Sequence, residues 1–214
     1  MDDSRQKRRL SAVLAADVAG YTRLVEEDVD ATVQAWTAAR ADVIDPNISK
    51  YAGQIVKRTG DGFLAEFPTV QEALLCALAM QGSLATALLD FRMGISVGEV
   101  VDDGDDIHGE QVNIAARLEA LAQPGGVCVS GHAYDHARGE AREALTACGR
   151  RRLKNVADEV GVWHWPGPLP DEAGARDTAL RDDAPRLLVA LFAAHSDVPT
   201  DRHLAEAVTE ETPR

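Results

Sequence analysis

Two aspartates stand where short apolar runs meet glycine-containing loops. Asp17 closes the run Ser11–Ala16, and a tight loop with Gly20, Tyr21 and Thr22 follows at once. Asp61 lies in Gly60-Asp61-Gly62, between Ile55-Val-Lys-Arg-Thr and Phe63-Leu-Ala-Glu-Phe. An Asp-Gly step between two β-type runs predicts a hairpin with Asp61 at its tip. With the run ending at Asp17 as a neighbour in the same sheet, the two carboxylates meet at one edge. Paired carboxylates beside such a loop suit hard divalent cations that carry a triphosphate.

A second set of polar residues lies further along. In Asp106-Ile-His-Gly-Glu-Gln-Val-Asn-Ile-Ala-Ala-Arg-Leu-Glu, Asn113 and Arg117 are four apart and share one helix face. Val112, Ala115, Leu118 and Leu121 form a separate, inward stripe. Taken alone, the Asn/Arg pair reads as a solvated face. Lys154 follows Arg150–Arg152 and by itself reads as part of a basic turn. Lys57 is four residues before Asp61, and strict strand alternation puts it on the side of Ile55 and Thr59.

These residues need elements to hold them. The pattern predicts a buried strand over Leu10–Val18 after a frayed basic start at residues 1–9. A short helix follows over Gly20–Glu27, its first amides facing Asp17. A long helix runs over Asp30–Tyr51, capped by Asp30 and kinked or split by Pro46. Its apolar positions are Val33, Trp36, Thr37, Ala39, Val43, Ile44 and Ile48. The hairpin Gln54–Phe67 leads to a second long helix, Val70–Leu89, with Leu74, Leu75, Leu78, Met80, Leu84 and Leu88 inward. Phe91–Val101 alternates, placing Met93, Ile95 and Val97 together. An acidic turn, Asp102–Asp106, precedes a helix over Gln111–Ala122, which Pro124-Gly125-Gly126 stops. A strand Val127–Ser130, a short helix Gly131–Arg138, and strands Ala144–Cys148 and Val160–Trp165 complete the order. Strands alternating with helices, two of them in a tight hairpin, give an α+β fold with a mixed sheet, not a doubly wound parallel one.

The 214 residues suffice for one domain and an appendage, and 45% are hydrophobic, enough for a substantial core. The net charge of −13 argues against a nucleic-acid partner. An acidic body must bind a polyphosphate through metals and a few placed cations. Cys76, Cys128 and Cys148 form no CxxC pair and read as reduced residues, which suits the cytoplasm. The longest apolar run, Leu187–Ala194, is far short of the ~20 residues of a membrane span, so no membrane partner is expected. Pro166-Gly-Pro-Leu-Pro170 marks a domain end, followed by an acidic linker and a short helix over Arg186–His195.

At this point the residues resemble a family. Ala-Ala-Asp17-Val-Ala-Gly-Tyr-Thr-Arg-Leu, Ile-Val-Lys57-Arg-Thr-Gly-Asp61-Gly, Arg-Met-Gly-Ile-Ser-Val-Gly-Glu-Val, the Asp106–Glu119 segment and Leu-Lys154-Asn-Val resemble, in order, the catalytic domain of class III nucleotide cyclases, bacterial adenylate cyclase type. The resemblance implies a ferredoxin-like, mainly antiparallel sheet with helices packed on it. It implies a catalytic domain over 8–166 and an acidic linker with a short helical tail over 167–214. Asp17 and Asp61, with the Val18 carbonyl, match the ligands of two divalent ions, Mg²⁺ or Mn²⁺. Gly20, Tyr21 and Thr22 match the loop for the β- and γ-phosphates, and Lys154 a phosphate-binding lysine. Lys57 and Asp106 match the pair that reads adenine. Asn113 and Arg117 match the catalytic residues that orient the ribose and stabilise the charged α-phosphate. The implied reaction converts ATP to 3′,5′-cyclic AMP and pyrophosphate, at sites shared across a homodimer. Two alternatives stay open. One is a cyclase for another nucleotide, GTP or a pyrimidine nucleotide in antiphage defence. The other is a catalytically silent nucleotide-binding dimer module.

Overall fold

The computed structural model describes residues 7–102, 104 and 106–169, within a unit that ends at Leu169. Four strands carry the first half: β1 (Lys7–Val18), β2 (Gln54–Arg58), β3 (Gly62–Phe67) and β4 (Phe91–Asp102). They lie in the order β2-β3-β1-β4, all antiparallel, which is the ferredoxin-like arrangement of a βαββαβ chain. The sheet continues through β6 (Val127–Ser130), β8 (Val160–Trp165) and β7 (Thr146–Arg151). The β4–β6 pair is its one parallel pairing among the described residues. A two-residue strand, β5 (Ile107–His108), pairs with the end of β4.

β1 starts earlier than its hydrophobic run. Arg8 meets Glu99 at 2.7 Å, and Arg9 bridges Glu66 and Asp102, so the expected frayed segment is paired from Lys7. Helix α1 (Tyr21–Glu27) follows Gly20, whose φ of 68° supplies the left-handed turn after β1. Helix α2 (Val29–Ala38) is capped by Asp28, not Asp30: the Ala31 amide donates to Asp28 Oδ1 at 3.0 Å. Pro46 perturbs the long helix without ending it. It cannot donate to Asp42, and the backbone widens into a π-helical stretch, Ala39–Ile44, before α3 (Asp45–Lys50).

One face of the sheet packs against these helices and α4 (Val70–Leu84), burying Leu14, Phe67, Leu74, Met80, Phe91, Met93 and Ile95. Met93, Ile95 and Val97 share this face as expected. Val33, Leu75 and Leu88 do not: they are 48%, 36% and 55% exposed. α4 ends at Leu84, not Leu89, and the turn that follows buries Leu89 in place of Leu88. Helix α6 (Gly131–His136) is shorter than expected, and α7 (Gly139–Glu143) and the later start of β7 were not foreseen.

The opposite face carries α5 (Glu110–Leu121), which buries Val112, Ile114, Ala115 and Leu118 and leaves Leu121 at the rim. β4 makes this docking close. Its residues facing α5 are Arg92, Gly94, Ser96 and Gly98. Ser96 Oγ donates to the Gln111 carbonyl at 2.5 Å. A Cβ on Gly94 would lie 2.1 Å from the Ala115 carbonyl oxygen. Among the described residues no helix is long and apolar enough to cross a membrane. The expected Arg186–His195 helix lies outside the described residues.

Candidate active site

Antiparallel pairing of β1 with β3 sets Asp17 opposite Gly62, the residue after Asp61. The Val18 amide donates to the Asp61 carbonyl at 3.0 Å, and the Thr59 amide to the Gly62 carbonyl at 3.0 Å, which closes the hairpin turn. A Cβ on Gly62 would fall 2.3 Å from the Ala16 carbonyl oxygen, so glycine lets the two aspartates approach. Burial, and then the charge of Asp61, push the Asp17 carboxyl well above the ordinary carboxylate range; Arg92 pulls the other way. Two like charges held together in a partly buried place are the electrostatic setting a divalent cation relieves. Among the described residues no group of three His, Cys, Asp or Glu converges. An ion on Asp17 and Asp61 therefore needs backbone, water or substrate oxygens as well, as Mg²⁺ sites on phosphates do.

Arg92 belongs to this cluster. It lies opposite Asp17 in the β1–β4 register, and its Nη2 donates to Asp17 Oδ2 at 3.2 Å. Its Nε is 3.2 Å from Glu119 Oε1 on α5. Burial raises the Glu119 carboxyl to about 7 against the pull of Arg92. Sequence reasoning assigned neither residue a role. The available signal was alternation: Arg92 shares a strand face with Gly94, Ser96 and Gly98, where a charge must find a partner on whatever packs there.

Lys57 and Asp106 come together: Lys57 Nζ is 2.9 Å from Asp106 Oδ2. Asp106 Oδ1 also accepts the Ile107 amide at 2.9 Å, so the carboxylate is fixed at both oxygens. Strict alternation misplaces Lys57. Ile55 pairs with Ala65 and Lys57 with Leu64, which leaves Val56 as a β-bulge. Ile55 packs on the larger core, on the face covered by α3 and α4, while Leu64, opposite Lys57, packs in the cluster under α5. The bulge thus turns Lys57 away from Ile55 and toward Asp106. Beside the pair is a polar cleft of about 350 Å³, lined by Arg9, Gln54, Glu66, Asp102 and Asp106.

Asn113 and Arg117 lie on α5 away from its buried stripe, Asn113 exposed and Arg117 half-buried. Tyr21 packs partly on the core, and Gly20 and Thr22 are open. Lys154 is exposed in the β7–β8 connection, after buried Leu153. That connection is distant: β8 is three places from β1 and four from β3 in the sheet, about 14 and 19 Å at ~4.8 Å per strand. One chain thus gathers Asp17 with Asp61 and Lys57 with Asp106, and holds Lys154 apart from both.

The domain is therefore a ferredoxin-like α+β unit with a carboxylate pair at one strand edge and a Lys/Asp pair beside it. Residues 5–163 match the adenylate and guanylate cyclase catalytic domain, and the chain belongs to that family. A putative adenylate cyclase 3 from Rhizobium meliloti is 33% identical over 96% of this chain and 37% of its own length. An adenylate cyclase from Glutamicibacter nicotianae is 34% identical over 64% of this chain and 34% of its own. The chain thus spans about a third of the length of these curated relatives. Among solved structures, an adenylate/guanylate cyclase/hydrolase from Silicibacter pomeroyi is 41% identical, with a TM-score of 0.68 over 78% of this chain and all of that one. The adenylyl cyclase CyaB from P. aeruginosa, 21% identical with a TM-score of 0.63 over 75% of this chain and 95% of its own, shares the fold.

Proposed function

We propose that this domain is an adenylate cyclase that acts as a homodimer, each site being built from both copies. The observation that carries the shared-site reading is the strand order. The connection that carries Lys154 follows a strand three to four places along the sheet from those of Asp17 and Asp61 of its own chain, which favours phosphates held by a second copy. Asn113 and Arg117 likewise face outward from α5. A second copy related by a twofold axis presents these residues, with its Lys57 and Asp106, to the carboxylate pair, and each dimer then has two sites.

In each site Asp17 and Asp61, with the Val18 carbonyl, hold two divalent ions. When bound, such ions lower the pKa of the ribose 3′-hydroxyl and neutralise the phosphates. The Gly20–Thr22 loop receives the β- and γ-phosphates through its backbone amides. Lys57 donates to a ring nitrogen of adenine, and Asp106 accepts from its amino group; their ion pair holds both side chains ready. Asn113 fixes the ribose so that the 3′ oxygen is in line with the α-phosphorus. The 3′ oxygen forms its bond to phosphorus as the bond to the bridging oxygen breaks. The hydroxyl proton leaves to solvent, and pyrophosphate departs. Arg117 and Lys154 neutralise the charge that develops, and removing one such donor typically costs ~10²–10³ in rate.

The test is product analysis by mass after separate incubation with ATP, GTP, CTP and UTP in Mn²⁺, beside an Asp61→Ala control. Cyclic AMP that disappears in the control supports the reading. A cyclic pyrimidine or guanine product overturns the roles of Lys57 and Asp106. No product from any nucleotide moves the weight to a silent module. An Asp17→Ala chain mixed with an Asn113→Ala chain regains activity if sites are shared, because one site of each mixed dimer is intact. No recovery after subunit exchange refutes the sharing.

A further inference from the structure

Arg92 and Glu119 have no part in the roles above, yet they adjoin the carboxylate pair. The guanidinium is divided unequally. Its Nη2 makes a hydrogen bond to Asp17 Oδ2 at 3.2 Å. Its Nε is equally near Glu119 Oε1 but off the hydrogen-bonding line, so both of those buried atoms lack a hydrogen bond. Arg92 is thus bonded to the carboxylate that a divalent ion requires, and stands beside one that it does not. We infer that Arg92 competes with the metal for Asp17, and that Glu119 is the seat that receives its guanidinium when an ion takes that carboxylate. This rests on the reading of Asp17 and Asp61 as metal ligands.

The physical argument is one of charge. A divalent ion on Asp17 repels the adjacent guanidinium and removes its hydrogen-bond acceptor. A partly buried arginine left without a counter-ion is costly, so an ion could bind only by stranding it. Glu119 removes that cost. Close docking of α5 on Gly94 keeps its carboxylate in reach, and a small rotation brings Nε–H onto Oε1. The planar fork of arginine serves two carboxylates at two edges, which a lysine ammonium does not. Metal affinity is then set by the difference between the two acceptors. Arg92 and Glu119 are positioning residues with opposite effects.

The test uses the full chain and Mn²⁺ alone, followed by the electron paramagnetic resonance of the free ion, with no nucleotide. Arg92→Gln removes the competitor and is expected to tighten Mn²⁺ binding ~10-fold, the scale of one hydrogen bond to a charged group. Glu119→Gln removes the seat and is expected to weaken binding by a similar factor. Arg92→Lys keeps the cation and gives no tightening; it also serves if Arg92→Gln fails to fold. Shifts in the same direction, or no shift in either variant, overturn the inference. An Asp61→Ala chain separates the two readings. If it binds Mn²⁺ as the wild type does, the metal site fails and the inference with it. If it loses the ion while Arg92→Gln and Glu119→Gln leave affinity unchanged, the inference alone falls.

Discussion

Replacing Gly94 by alanine tests whether the seat of α5 on β4 positions the chemistry. The added Cβ would lie 2.1 Å from the Ala115 carbonyl oxygen, 2.3 Å from the Glu119 amide nitrogen and 2.9 Å from the Leu118 carbonyl carbon. All three are backbone atoms, so no side-chain rotation relieves the overlap. Ordinary contact begins at 3.4 Å. The helix must therefore retreat by about 1.3 Å, on the scale at which misplaced groups lose ~10² in rate. Because α5 carries Asn113 and Arg117, the residues proposed to act on the ribose and the α-phosphate, the loss should fall mainly on kcat for cyclic nucleotide formation. Overpacking of this kind costs ~1–3 kcal/mol, and each kcal/mol lowers Tm by ~2–4 °C in a chain this long. Gly82→Ala is the control. Nothing lies within 4 Å of its Cβ, on an exposed position of α4. There alanine should stabilise by ~0.5–1 kcal/mol and leave activity intact. A Gly94→Ala protein with wild-type kcat and Tm would refute the close-seat argument.

Two further outcomes concern stability. His164 is fully buried, its Nδ1 2.9 Å from the Gly167 carbonyl and its Nε2 facing the Gln123 amide at 3.5 Å. Burial lowers its pKa from 6.5, so below pH ~6.5 the unfolded chain takes up a proton that the fold refuses, and stability falls with pH. Glu119 works the other way: raised from 4.5 to about 7, it takes up a proton on folding and favours the fold as pH drops through that window. Urea midpoints at pH 7.5 and 5.5 should therefore differ in His164→Gln from those of the wild type, the variant losing less on acidification; identical differences would contradict the assignment. Arg9→Met leaves Glu66, whose side chain is 12% exposed, without its main cation, and should cost ~1–3 kcal/mol in a denaturant melt. An unchanged midpoint would show that the Arg9 network contributes nothing.

Much of the fold was legible because it depends on local pattern. The Asp-Gly hairpin, the alternation of Phe91–Val101 and the inward stripe of α5 each follow from a period or a turn that the chain states by itself. The pairing of Asp17 with Asp61 needed one assumption, that their strands are neighbours, and β1 does pair with β3. What sequence missed depends on three-dimensional partners. No glycine or proline announces the bulge at Val56, so alternation placed Lys57 on the wrong side. Arg92 and Glu119 are 27 positions apart and become neighbours only when α5 docks on β4. Leu88 fits the helical stripe, yet the chain leaves the helix four residues before it. Asp28 displaced Asp30 as cap because a cap is chosen by where the first free amides point, and two candidate aspartates stood two positions apart.

The bulge in β2 works as a slip joint. Before it, Gln54 and Ile55 keep one count against β3; after it, Lys57 and Arg58 keep another, offset by a single residue. The half of the strand that bears Lys57 is therefore indexed from the hairpin turn and Asp61, and not from the helix that delivers the chain. The turn of Lys57 toward Asp106 is thereby kept by its count from the hairpin, and not by the helical layer that precedes the strand.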